Sequence, residues 1–149
     1  MPDSSVTVVD AARSEALDYC FQRDPLAADE VRKGAQLIAT RTGVERYDAL
    51  VVLGSGLRDA LDEILPLADL PGVPVPAVEG HGAELLSLRV NVHSGREKHL
   101  LVATGRVHLY EGYTPTQICQ LVRVCAMTGI KAAILTNAGG CLRNWALGD

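Results

Sequence analysis

Short, uninterrupted apolar runs alternate along this chain with longer stretches in which apolar residues recur every three or four positions. Ala49-Leu50-Val51-Val52-Leu53 is the first run, of strand length and without a polar position, as a strand covered on both faces requires. It closes in Gly54-Ser55-Gly56, and a helix-like stretch from Leu57 to Leu65 follows. Leu86 to Val92 alternates apolar with polar residues, the period of a half-buried strand; after a turn at His93-Ser94-Gly95-Arg96, Lys98 to Thr104 reads as its partner. Ala132-Ala133-Ile134-Leu135 is a further strand and again ends in a polar, glycine-containing turn.

Between these runs lie helical patterns. Residues 6–22 form a loosely amphipathic helix, and Asp24-Pro25, a cap residue followed by proline at the first helical position, starts a second one that runs through Val31, Ala35, Leu37 and Ile38 to Gly43. Thr114-Pro115 repeats that start signal, and Ile118, Leu121, Val122, Cys125 and Ala126 then place an apolar stripe on one helix face until Gly129. Pro66 to Pro76, with its prolines and Gly72, reads as an irregular connection. The alternation predicts an α/β fold with a mixed, mostly parallel central sheet flanked by helices, in which ligands gather beyond the carboxyl ends of the strands. One domain fits the 149 residues, with 1–46 as a helical lead-in and 47–149 carrying the chemistry.

Composition narrows the function. With 48% hydrophobic and 21% charged residues the chain is globular, and a net charge of -4 leaves no basic stripe for nucleic acid. No apolar run approaches the roughly 20 residues of a membrane span, and Met1-Pro2-Asp3-Ser4-Ser5 has no basic leader region, so a cytoplasmic protein without membrane contact is expected. The four cysteines, Cys20, Cys119, Cys125 and Cys141, show no C-x-x-C spacing; reduced, mostly buried thiols and no metal site are expected.

The chemistry concentrates in Gly105 to Tyr113, directly after the apolar run of Leu100 to Ala103. Arg106, His108 and Tyr110 occupy alternate positions, so an extended backbone points all three the same way. A guanidinium fork matches the oxygens of a phosphate or carboxylate, an imidazole adds a donor, and a tyrosine offers a flat face to a sugar or ring. Gly54-Ser55-Gly56 supplies a second anion feature, a turn in which backbone amides can approach a ligand ahead of a helix N-terminus. Its Gly-x-Gly also begins a dinucleotide fingerprint, but Asp59 stands where the final glycine belongs, and no Gly-Lys-Ser/Thr completes a Walker loop. His81, between Gly80 and Gly82, is either a plain loop residue or a further anion donor.

Gly-Arg-x-His-x-Tyr-Glu-Gly-Tyr over residues 105–113 resembles the signature of the trimeric purine nucleoside phosphorylases. Val-Leu-Gly-Ser-Gly-Leu over 52–57 resembles their first phosphate loop, although Arg58 follows where the family often has glycine or a bulky apolar residue. Gly80-His81-Gly82-Ala83 is similar to their Gly-His-Ala-Gly with the last pair reversed, and Thr136-Asn137-Ala138-Gly139-Gly140 resembles their Thr-Asn-Ala-Ala-Gly-Gly, one residue short. The likeness covers the chain from about Ala49 to its end, and Tyr110-Glu111-Gly112-Tyr113 favours the purine nucleoside type over the related methylthioadenosine phosphorylases.

The resemblance implies phosphorolysis of the N-glycosidic bond of purine ribo- or deoxyribonucleosides in purine salvage. It implies phosphate held by Ser55, His81, Arg106, His108 and the Ala138 amide, a nucleoside contacted by Tyr110, and catalytic roles for His108 and Glu111, the latter holding the imidazole or nearby backbone. Inorganic phosphate is then a co-substrate, with no metal or organic cofactor, and the complete protein a homotrimer. In the family the purine-reading residues lie in a part that would follow Asp149, so the chain corresponds to the N-terminal half and activity belongs to the complete fold. Two other readings stand beside this one: an inactive phosphate- or nucleoside-binding remnant, and a dinucleotide-binding domain.

Overall fold

In the computed structural model of the protein, the described residues are 25–54, 65–77, 82–92 and 95–137. The expected helix over residues 6–22, most of the stretch from Leu57 to Leu65, and Ser55, His81 and Ala138 therefore lie outside them, as do Cys20 and Cys141.

Helix α1 spans Pro25–Thr42 and stops at Gly43, whose φ of 69° is the left-handed value that a side chain disfavours. Strand β1 (Ala49–Val52) follows, then the two-residue strand β2 (Leu65–Pro66), a 3-10 turn at Leu67–Asp69, β3 (Glu84–Asn91) and β4 (Glu97–Ala103). A 3-10 turn at Leu109–Glu111 leads to helix α2 (Pro115–Met127) and strand β5 (Ala132–Leu135). Helix α2 starts where expected and for the expected reason: Thr114 Oγ1 accepts from the Gln117 amide at 3.3 Å, and Gln117 Oε1 accepts from the Thr114 amide at 2.9 Å. Leu65 departs from the expected helix. It pairs with Leu85 and is 1% exposed, so the core claims it as a strand residue.

The strands form one mixed sheet in the order β2-β3-β4-β1-β5. β1 lies parallel between β4 and β5, while β3 joins β2 and β4 antiparallel. Pairing of Leu50 with Leu101 and of Val52 with Ala103 puts these four residues on one face, together with Leu85 opposite Ala103. All five are buried, and they pack with Val31 and Ile38 of α1 and with Leu121, Val124 and Cys125 of α2. A core of this kind is stabilised by about 1.5–3 kcal/mol for each fully buried aliphatic side chain, before chain entropy is counted. Burial pushes the Cys125 thiol up to about 12, so it is a packing residue, as expected of most of the thiols; Cys119 is exposed on the outer face of α2. β5 is the sheet edge among the described residues, with Ile134 55% and Leu135 61% exposed.

The two helices cross at Gly34. A Cβ there would meet Val124 Cγ1 at 2.9 Å and Cγ2 at 3.0 Å, so the missing side chain sets the approach of α1 to α2. Replacing Gly34 by Leu is expected to lower stability to urea by about 1–3 kcal/mol through overpacking, despite the better helix propensity of leucine.

Asp48, just before β1, ties the strand starts together: one carboxylate oxygen bonds the Lys98 ammonium, the other accepts the His99 amide at 3.0 Å. The Lys98 bond, helped by the His99 amide and opposed by partial burial, holds the carboxyl below its ordinary 3.8. A folded-state value below the unfolded one means stability present at neutral pH and lost as pH falls through the folded value. With both side chains partly exposed, at 41% and 33%, the gain is about 0.5–1 kcal/mol. Asp48→Asn should therefore be less stable than the wild type at pH 7, and urea titrations near pH 3 should show that gap narrowed.

Candidate active site

The three parallel strands end side by side, and the backbone just past them is knotted through Thr136. Its amide donates to Val52 O at 3.0 Å, its hydroxyl lies 3.1 Å from the same carbonyl and accepts the Gly54 amide at 2.7 Å, and its own carbonyl accepts from Arg106 Nη1 at 2.7 Å. A further bond from the Leu53 amide to Ala103 O, at 2.9 Å, joins the loop after β1 to the end of β4. Gly54 suits this closeness, since a Cβ there would crowd Thr136 O at 3.1 Å and Asn137 Cα at 3.2 Å.

A fourth segment arrives from the antiparallel side. The Gly82 amide donates to Thr104 O at 3.2 Å, and the Glu84 carboxylate accepts both the Thr104 hydroxyl at 2.6 Å and the Ala83 amide at 3.0 Å. A Cβ on Gly105 would lie 2.8 Å from the Gly82 nitrogen, so the chain passes here only because neither residue has a side chain. Ser55, His81 and Ala138 lie outside the described residues. Their neighbours Gly54, Gly82 and Asn137, however, come to the ends of the same strands that carry Arg106.

Arg106 and His108 are half-buried. The alternation expected from an extended backbone ends at His108, because Leu109–Glu111 turn into a 3-10 helix that reverses the chain at Gly112, where φ is 87°. Tyr110 is nonetheless brought back over the imidazole, with ring centroids 5.0 Å apart and planes 10° from parallel. It remains 72% exposed, a flat aromatic face at the mouth of the site. Glu111 acts on the backbone: Oε1 accepts the His108 amide at 2.6 Å and Oε2 the Ala77 amide at 3.0 Å, and Tyr113 donates to Val75 O at 3.2 Å. The Arg106 to Tyr113 loop is thereby fixed to the proline-rich connection ending at Ala77.

Thr136 and the Glu84-Thr104 pair are site-building residues that sequence reasoning missed. Thr136 stood in view as the first residue of Thr-Asn-Ala-Gly-Gly after a strand, whereas Glu84 carries no local signal, because its partner is 20 positions away. The Arg106 guanidinium thus stands where the chain segments leaving β1, β4 and β5 meet, and a guanidinium fork suits the oxygens of an anion.

No family model matches the chain. Among curated proteins it is 41% identical over 118 residues to the purine nucleoside phosphorylase of Mycobacterium bovis, covering 75% of this chain and 42% of that protein. It is 41% identical over 124 residues to the purine nucleoside phosphorylase of a Cellulomonas species, covering 78% of this chain and 44% of that one. The fold agrees with a solved purine nucleoside phosphorylase in complex with ribose-1-phosphate at a TM-score of 0.62 and 31% identity, over 81% of this chain and 44% of that chain.

Over about three quarters of its length the chain is similar to purine nucleoside phosphorylases.

A second solved structure, that of the Schistosoma mansoni purine nucleoside phosphorylase in complex with inosine, superposes with a TM-score of 0.61 at 31% identity, over 81% of this chain and 42% of that one. The chain thus spans less than half the length of the phosphorylases it matches. Among the described residues no helix is long and apolar enough to cross a membrane.

Removing the Glu111 carboxylate should release both loops it joins. In Glu111→Ala, hydrogen-deuterium exchange at the Ala77 and His108 amides is expected to speed up by about tenfold or more, with exchange in β1 and β4 unchanged.

Proposed function

We propose that this chain provides the phosphate- and ribose-binding part of a purine nucleoside phosphorylase. The observation that carries the reading is the knot at Thr136, which brings the loop containing Arg106 against the glycine turn after β1 and the turn after β5. Supporting it are the similarity to purine nucleoside phosphorylases and the neighbouring structures named for ribose-1-phosphate and inosine, a product and a substrate of phosphorolysis.

In the reaction a phosphate oxygen attacks C1′ of the nucleoside with inversion, the C1′ to purine nitrogen bond breaks, and its electron pair leaves with the purine, which takes up a proton. The products are free base and pentose 1-phosphate. The sugar passes through an oxocarbenium-like state, so a phosphate held beneath it both reacts and stabilises the positive charge. Arg106 and His108 orient that phosphate, and Ser55, His81 and the Ala138 amide complete its shell. Tyr110 contacts the ribose, and Glu111 keeps the His108 segment in place through the backbone. Purine nucleoside and inorganic phosphate are the substrates, neither metal nor organic cofactor takes part, and the complete protein works as a cytoplasmic homotrimer in purine salvage. The dinucleotide-binding alternative has no support from the relatives.

Incubating the complete protein with inosine, with and without phosphate, tests the reading. Hypoxanthine is expected only with phosphate, and Arg106→Ala is expected to slow its release by about 10²–10³-fold while circular dichroism stays unchanged. Release without phosphate, or full turnover by a folded Arg106→Ala variant, overturns it.

A further inference from the structure

At the other end of the sheet from Arg106, a cavity of about 520 Å³ opens between the C-terminus of α1 and the first residues of β4. That size suits a small ligand. Among the described residues its wall carries Arg41, Arg89 and His99 and no carboxylate, in a chain whose net charge is -4. The acids that balance these cations stand outside the wall. Asp69 lies 3.7 Å from Arg41 and Glu97 lies 3.6 Å from Arg89, both longer than the roughly 2.7–3.2 Å of a hydrogen bond, and His99 Nε2 is 3.3 Å from Glu97. Both arginine side chains are more than half exposed, at 54% and 68%, so these pairs hold them weakly and can be exchanged for a better-placed anion. At the end of α1, Ile38 O accepts the Thr42 hydroxyl at 2.8 Å and Ala39 O accepts the Gly43 amide at 2.9 Å, so these two carbonyls are engaged within the protein.

The floor holds a chain of hydroxyls whose protons can be assigned. Tyr47 Oη lies 2.8 Å from Thr42 Oγ1 and 2.7 Å from Ser87 Oγ, and a phenol has one proton to give. Thr42 commits its own proton to Ile38 O, so it must accept from Tyr47. Ser87 then donates to Tyr47, and its two lone pairs, on a residue lining the cavity, are left as acceptors. Tyr47 is only 3% exposed, so the chain is fixed from below. The cavity thus presents strong, charged donors at its rim and a neutral acceptor at its floor.

We propose that this cavity binds a small hydroxylated phosphate monoester. Its phosphate sits between the Arg41 and Arg89 guanidinium groups with His99 beside it, and a ligand hydroxyl donates to Ser87 Oγ. The guanidinium forks supply the paired donors that phosphate oxygens match, and the acceptor on the floor separates an ester carrying hydroxyls from a bare inorganic anion.

Glycerol 3-phosphate and inorganic phosphate, each titrated into the nitrogen-15-labelled protein, test this by nuclear magnetic resonance. Glycerol 3-phosphate is expected to shift the Thr42, Ser87 and His99 amides saturably. Arg89→Ala, at an exposed position that leaves the fold intact, should weaken that binding at least about tenfold. Ser87→Ala should weaken glycerol 3-phosphate and leave inorganic phosphate unchanged, while Arg106→Ala should leave the cavity's response as it was. Shifts confined to the residues around Arg106, or binding to Arg89→Ala as tight as to the wild type, overturn the proposal.

Discussion

The parallel pairing of β1 with β4 and β5 is the constraint on which everything else rests. Parallel strands finish at the same level, so the three loops that leave them must start side by side and compete for the same hydrogen-bonding groups. Thr136 settles that competition by serving Val52 through its amide, Gly54 through its hydroxyl and Arg106 through its carbonyl. An arginine anchored in this way has already given up rotamers, which is how a fold converts packing into preorganisation.

Much of this was legible in the chain. β1, β4 and β5 were marked by apolar runs, and both helix starts by a cap residue followed by proline, because these features are dictated within a few residues of the position concerned. What stayed hidden depends on distance. β2 has two residues and exists only through Leu85, Tyr47 is buried by hydroxyls from α1 and from Ser87, and the Glu84-Thr104 bond spans the β3-β4 hairpin. The site showed the same division. The residue types from Arg106 to Glu111 pointed to an anion and a sugar, but the 3-10 turn that stacks Tyr110 on His108 could not be read from alternation, since alternation presumes the strand continues.

Glycine plays two different parts in this molecule. Gly43, Gly112 and Gly129 adopt positive φ where chain direction reverses. Gly54, Gly82 and Gly105 serve nearness instead, where backbones pass within van der Waals distance at the strand ends. The second group gathers around Arg106. Without side chains there, the segments leaving the strands can close on one another through their own amides. The cavity beside Arg41 and Arg89 is built the other way, from long side chains over a floor of hydroxyls, and so calls for a larger, hydroxyl-bearing ligand.

The most direct measurement is a crystal structure of the protein grown in phosphate. One tetrahedral anion is expected within about 3 Å of the Arg106 guanidinium, bridged on its other side by the Gly54-Ser55-Gly56 turn. Ser55 and Arg106 found on opposite faces of the sheet, with no anion at Arg106, would contradict the shared oxyanion pocket.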